Sequence, residues 1–124
     1  MTPLNTRALT PMAFVADVAR SIAFYRRLGF SARNTVARPG ADELTWAWLT
    51  SGDAHLMVAR ASHPVEPESQ AVLFYLYVDD VGAAHGELAA AGAEVGPVTN
   101  PFYAPQGEFR LVDPDGYSLM ICHV

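Results

Sequence analysis

Two stretches of this chain follow one grammar. PMAFVADVARSIAFYRRLGF, near the start, and VLFYLYVDDVGAAHGELAAAGAEV, past the middle, each run as an apolar strand, an aspartate, a helical stripe and a glycine stop. Val15 and Val78, Val18 and Val81, and Gly29 and Gly92 are all 63 residues apart, and the same offset carries Leu56-Met57-Val58 onto Leu119-Met120-Ile121. A register kept that long means two copies of one supersecondary unit, each with an apolar face to bury. In the first copy Val18, Ile22 and Tyr25 recur at helical spacing behind a capping Asp17; in the second Val81, His85 and Leu88 do so behind Asp80.

Each copy reads strand, helix, strand, strand, strand. In the first, residues 31–38 and 43–50 are strand-like, and Ser51-Gly52-Asp53 turns the chain into 54–59. In the second, 94–99, 107–112 and 117–122 repeat the plan, with Asp113-Pro114-Asp115-Gly116 as the turn. ASHPVEPESQ, residues 61–70, is polar with two prolines and reads as a solvated connector between a module over about 8–60 and another over about 71–124. The 124 residues fit one α+β domain in which the two modules curve their sheets towards one another, helices outside and a cleft inside.

Period-two alternation then assigns faces. Phe74, Leu76 and Val78 pack under the second helix, which turns Leu73, Tyr75 and Tyr77 towards the cleft. Leu56, Val58, Leu119 and Ile121 belong to the helix side, so Met57 and Met120 face the cleft. For Trp46 and Trp48 parity is undecided, because Leu49 on the other face is also apolar.

Thirteen acidic against eight basic residues, a formal charge of −5, argue against a grip on phosphate backbones. The first residues lack the cationic segment and sustained apolar run of a signal peptide, and no segment approaches a membrane span. With Cys122 alone, no internal disulfide forms and a cytoplasmic protein is expected. There is no nucleophile elbow, phosphate loop or histidine pair at helical metal spacing. His85 reads as packing, His63 and His123 as solvated, and Cys122 as a structural thiol.

VADVARSIAFYRRLGF, YVDDVGAAHGELAAAGAEV and FRLVDPDGYSLMI together resemble the vicinal oxygen chelate superfamily of glyoxalases, extradiol dioxygenases and bleomycin resistance proteins. The resemblance implies two tandem βαβββ modules forming a curved, incomplete mixed barrel around a ligand cleft, usually in a homodimer. Enzymes of that family hold a divalent metal with His, Gln or Glu at four positions, which here are Thr10, Met57, Leu73 and Met120. Leucine offers no donor, and thioethers are soft ligands unlike the carboxylates and imidazoles such a cation needs. Two methionines with Cys122 would suit only Cu(I), and a relocated site would have to start from His55, on the same strand face as Met57.

The bleomycin resistance proteins have this fold without the metal and bind their antibiotic non-covalently, which makes a metal-independent, cofactor-free binding protein the leading expectation and a glyoxalase-like lyase, isomerase or dioxygenase the alternative. Such a cleft needs aromatic and apolar walls with a few polar anchors. The candidate lining residues are Trp46, Trp48, His55, Met57, Tyr75, Tyr77, Phe102, Tyr103, Arg110 and Met120, with no catalytic or metal residue among them. The tryptophan of the bleomycin binders is not matched; Pro105 falls near its place. Arg110 points to the cleft or solvent, where it favours a carboxylate or carbonyl, or else pairs with Glu108 or Glu43. The expected partners are a small molecule and, as the resemblance implies, a second copy of the chain, with neither nucleic acid nor membrane.

Overall fold

The computed structural model describes residues 2–124. Two units meet at Val65 and Glu66, and each carries one helix on one mixed sheet that does not close on itself. The first unit holds β1 (Met12–Val15), α1 (Val18–Arg26), β2 (Ser31–Ala37), β3 (Leu44–Ser51) and β4 (Ala54–Arg60), in the sheet order β1-β4-β3-β2. The second holds β5 (Leu73–Val78), α2 (Val81–Ala90), β6 (Glu108–Val112) and β7 (Ser118–His123), in the order β5-β7-β6. In both, the strand before the helix pairs parallel with the last strand, while the remaining neighbours are antiparallel. The fold class is α+β, as expected.

Matching side chains start and stop the two helices. Asp17 Oδ1 accepts from the Arg20 N–H at 3.1 Å, and Asp80 Oδ1 from the Ala83 N–H at 2.9 Å, satisfying donors the first turn would otherwise leave open. At the far ends the Phe30 N–H donates to the Tyr25 carbonyl at 3.1 Å and the Ala93 N–H to the Leu88 carbonyl at 3.0 Å. That closure needs a left-handed residue, supplied by Gly29 and Gly92, with φ of 91° and 88°. Donor and acceptor lie 63 residues on in the second copy, so the repeat extends to individual hydrogen bonds.

Under α1 the buried side chains are Val18, Ile22 and Tyr25 with Ala13, Val15, Ala47, Leu49, Leu56 and Val58, and the Tyr25 ring meets Phe30 edge-on at 5.9 Å. Under α2 they are Val81 and Leu88 with Phe109, Leu111, Leu119 and Ile121. Burying each large aliphatic or aromatic side chain contributes about 1.5–3 kcal/mol. His85 lies where α1 has Ile22. Its Nε2 sits 2.9 Å from the Gly96 carbonyl, so Nε2 carries the proton, and its ring stands edge-on to Phe109 at 5.0 Å.

Two expectations need correction. Residues 94–99 do not form a strand; they touch β6 through single bridges, Val95 to Leu111 and Thr99 to Glu108. Pro97, in the middle, has no N–H to give a ladder. The second sheet is therefore one strand short of the first. The connector is also not solvated throughout. Pro67–Ser69 form a 3-10 turn whose backbone packs against Gly116, and the Gln70 amide donates to the Asp115 carbonyl at 3.1 Å. The β6–β7 turn is braced from within as well, because Asp113 Oδ1 accepts from the N–H groups of Asp115 and Tyr117, each at 2.9 Å. Among the described residues no helix is long and apolar enough to cross a membrane.

Candidate functional site

Each sheet has a face turned away from its helix, and the chemistry-bearing side chains collect there. In the first unit Ala47 and Leu49 are at most 1% exposed beneath α1, which puts Trp46 and Trp48 on the open face and settles the parity that the sequence leaves undecided. Strand register then lines up Met12, Met57, Trp48 and Asn34 in one row, and Phe14, Ala59, Trp46 and Val36 in the next. The two indoles meet edge-on at 6.4 Å. Trp48 Nε1–H donates to His55 Nδ1 at 3.1 Å, which leaves His55 only Nε2 for any further partner. The register of β2 slips between Ala32 and Asn34, and the Arg33 guanidinium stands 5.4 Å over the Trp48 ring.

The second unit's open face has three rows: Leu73, Ser118 and Val112; Tyr75, Met120 and Arg110; Tyr77, Cys122 and Glu108. Tyr75 and Tyr77 are 43% and 62% exposed, with rings stacked at 6.2 Å and 24°. Such a pair offers a flat apolar surface to another ring. The Arg110 guanidinium donates to Ser118 Oγ at 2.6 Å rather than to a carboxylate, so the ion pair weighed from the sequence does not form. Glu43, the other partner considered, instead bridges Arg60 and Arg38. Tyr103 reaches this face from the loop before β6 by donating its hydroxyl to Glu108 Oε2 at 3.2 Å. The hydrogen bond to Glu108, then burial, then the Glu108 charge raise the Tyr103 phenol above its ordinary 10.0. Phe102 is 95% exposed and meets only the edge of the Tyr103 ring, at 5.3 Å.

The two closing hairpins place different chemistry in equivalent slots. Trp48 pairs with Met57 as Arg110 pairs with Met120, and the Trp48 to His55 bond has its counterpart in Arg110 to Ser118. The offset is 63 between the methionines but 62 between Trp48 and Arg110, so the second hairpin is one residue longer through its turn.

Four residues of these faces escape the sequence reading. Met12 and Phe14 could have been found, because they lie 63 residues before Tyr75 and Tyr77 and alternate with the buried Ala13 and Val15. Arg33 could not, since the register slip that aims it leaves no mark in composition. The sequence offers Glu108 only as a partner for Arg110, whereas in the structure it is the most deeply buried charged group of either face.

The residues present do not fit the divalent metal of the family's enzymes. Met57 pairs with Met12 and Met120 with Tyr75, so neither thioether has a carboxylate or imidazole across the strand from it. Among the described residues no group of three or more His, Cys, Asp or Glu side chains converges to hold an ion. What the faces do offer is ring stacking, thioether contact, the guanidiniums of Arg33 and Arg110 and one buried carboxylate.

The family described as Glyoxalase/Bleomycin resistance protein/Dioxygenase superfamily matches residues 7–121. A bleomycin-binding protein solved in complex with bleomycin is 25% identical, with a TM-score of 0.71, over 96% of this chain and 99% of that one. The bleomycin resistance determinant encoded on the transposon Tn5 is 24% identical, with a TM-score of 0.72, over 95% and 98%. TnmS3, an antibiotic binding protein from Streptomyces sp. CB03234, is 20% identical, with a TM-score of 0.69, over 98% of each chain. The last two likenesses bear on the fold alone. No curated protein matches the sequence.

Proposed function

The chain belongs to the Glyoxalase/Bleomycin resistance protein/Dioxygenase superfamily, and we propose that within it this protein is a metal-independent binder of small molecules, sequestering an antibiotic or aromatic metabolite. One observation carries the reading: the open face of the first sheet presents Phe14, Trp46 and Trp48 beside Met57, and that of the second presents Tyr75 and Tyr77 beside Met120, the methionines standing where the resemblance implies metal donors in the family's enzymes. Aromatic planes and polarizable thioethers bind flat, apolar ligands by stacking and burial, without activating them. The likeness to a protein solved with bleomycin supports the same class of activity. In this proposal the protein works as a homodimer in the cytoplasm, where a fold with one cysteine needs no oxidant.

Thermal denaturation in the presence of bleomycin and a panel of aromatic antibiotics tests this. A ligand at one hundred times its dissociation constant adds about 2.7 kcal/mol of stability, which for a domain of this size raises Tm by roughly 10 °C. The shift should survive exhaustive chelation. Its loss on chelation, with stoichiometric zinc, nickel, manganese or iron recovered from the protein, would overturn metal independence. Sedimentation equilibrium checks the dimer.

A further inference from the structure

We infer that the molecule this protein binds carries a basic nitrogen, anchored by the Glu108 carboxylate on the open face of the second sheet. The inference rests on the small-molecule reading above and adds the chemistry of the ligand. Glu108 begins β6 and is fixed there by a reciprocal pair of backbone bonds with Thr99, each 2.9 Å long. Its side chain is buried, the residue being 4% exposed, and the two oxygens are treated unequally. Oε2 accepts the Tyr103 hydroxyl, whereas Oε1 is buried with no hydrogen-bond partner among the described residues.

A buried carboxylate with an unpartnered oxygen works against folding, since it has given up water for a single hydrogen bond. Packing does not require it, because the equivalent slot in the first unit holds Trp46 opposite Ala59, where Glu108 stands opposite Cys122. Nor is its charge balanced from within. Residues 66–124 contain nine carboxylate side chains and one arginine, Arg110, which lies two residues along the same strand face and donates to Ser118 instead. An N–H donor with a positive charge completes both deficits at once, by bonding Oε1 and neutralising the site.

The row geometry gives the ligand's outline. Tyr77, Cys122 and Glu108 lie across three neighbouring strands, so the stacked tyrosines stand two strand spacings from the carboxylate, about 10 Å. A flat aromatic body on Tyr75 and Tyr77 with an amine at its far end spans that interval.

Three fluorescent probes with one ring system separate the possibilities: 1-pyrenemethylamine, 1-pyrenemethanol and 1-pyrenecarboxylate, titrated into the full chain at neutral pH. The amine is expected to bind at least about tenfold more tightly than the alcohol, as a charge-assisted hydrogen bond warrants. Glu108→Gln should abolish that preference. Glu87→Gln, which makes the same change in net charge on the exposed side of α2, should keep it. Equal affinity for the three probes in the wild type, or an amine preference that survives Glu108→Gln, overturns the anchor and leaves small-molecule binding standing. Should no probe bind, the anchor falls, and a blank antibiotic panel alongside removes the binding reading too. The wild-type comparison decides the matter even if the glutamine variant fails to fold, and the Tm of that variant is expected not to fall.

Discussion

Replacing Gly116 by alanine probes a turn braced both from within and by the Pro67 segment. Gly116 has φ of +86°, and a Cβ there would run into the backbone of Pro67, 2.5 Å from its Cα and 2.6 Å from its carbonyl carbon, with the carbonyl oxygen closer still. The left-handed backbone alone costs an alanine about 1–2 kcal/mol. Forcing two backbone segments apart costs a further 1–3 kcal/mol, roughly as overpacking does in a core. The sum, about 2–5 kcal/mol, is a large share of the 5–15 kcal/mol that holds an ordinary domain together. Gly52, in the corresponding turn of the first unit, is the control: its φ is +57°, but nothing lies within 4 Å of the added Cβ. Gly52→Ala should therefore pay the backbone term only. Urea denaturation with a shared slope m measures both, and a melting curve should show Gly116→Ala falling roughly 10–20 °C below the wild type. If Gly116→Ala costs no more than Gly52→Ala, the packing of the Pro67 turn on the β6–β7 hairpin is wrong.

Other outcomes follow from single contacts. Asp17→Ala and Asp80→Ala should each lose about 1 kcal/mol, as the loss of a helix cap does, and denaturant titration of the two variants should agree because the caps are copies of one another. His55→Ala strips the acceptor from Trp48 Nε1 on a partly exposed face, which should change the tryptophan emission spectrum while costing under about 1 kcal/mol. The Tyr103 phenol, held above 10.0 chiefly by its bond to Glu108, should ionise late in an alkaline ultraviolet titration, as the difference between wild type and Tyr103→Phe. Because the folded-state value is raised, the stabilising contribution is complete below pH 10.0 and disappears as pH climbs through the raised value. Glu108→Met should return the titration towards 10.0.

The repeat made the architecture legible. Apolar stripes, capping aspartates and stop glycines are local signals, and both helices and their caps lie where those signals put them. The failures have particular causes. Residues 94–99 look strand-like because they lie 63 residues after 31–36 of the first copy and carry the β-branched Val95, Val98 and Thr99, but Pro97 and the close approach of Gly96 to Arg110 limit the segment to two bridges. Trp46 and Trp48 alternate with Ala47 and Leu49, so both faces of β3 are apolar and only the position of the helix distinguishes them. Polar partners were least legible. Arg110 choosing Ser118, Tyr103 folding back onto Glu108 and the proline-rich connector gripping the turn all depend on tertiary proximity that spacing does not encode.

The matched slots on the two closing hairpins make the duplication an evolutionary opportunity. A hydrogen-bonded aromatic pair, Trp48 with His55, and a guanidinium–hydroxyl pair, Arg110 with Ser118, are alternative fillings of one socket on an unchanged scaffold. In the binder proposed above, selection can revise the contents of one socket while the other keeps its contacts, so recognition can drift without an intermediate that binds nothing. Exchanging the pairs, with Arg110→Trp and Ser118→His, retraces such a step in the laboratory.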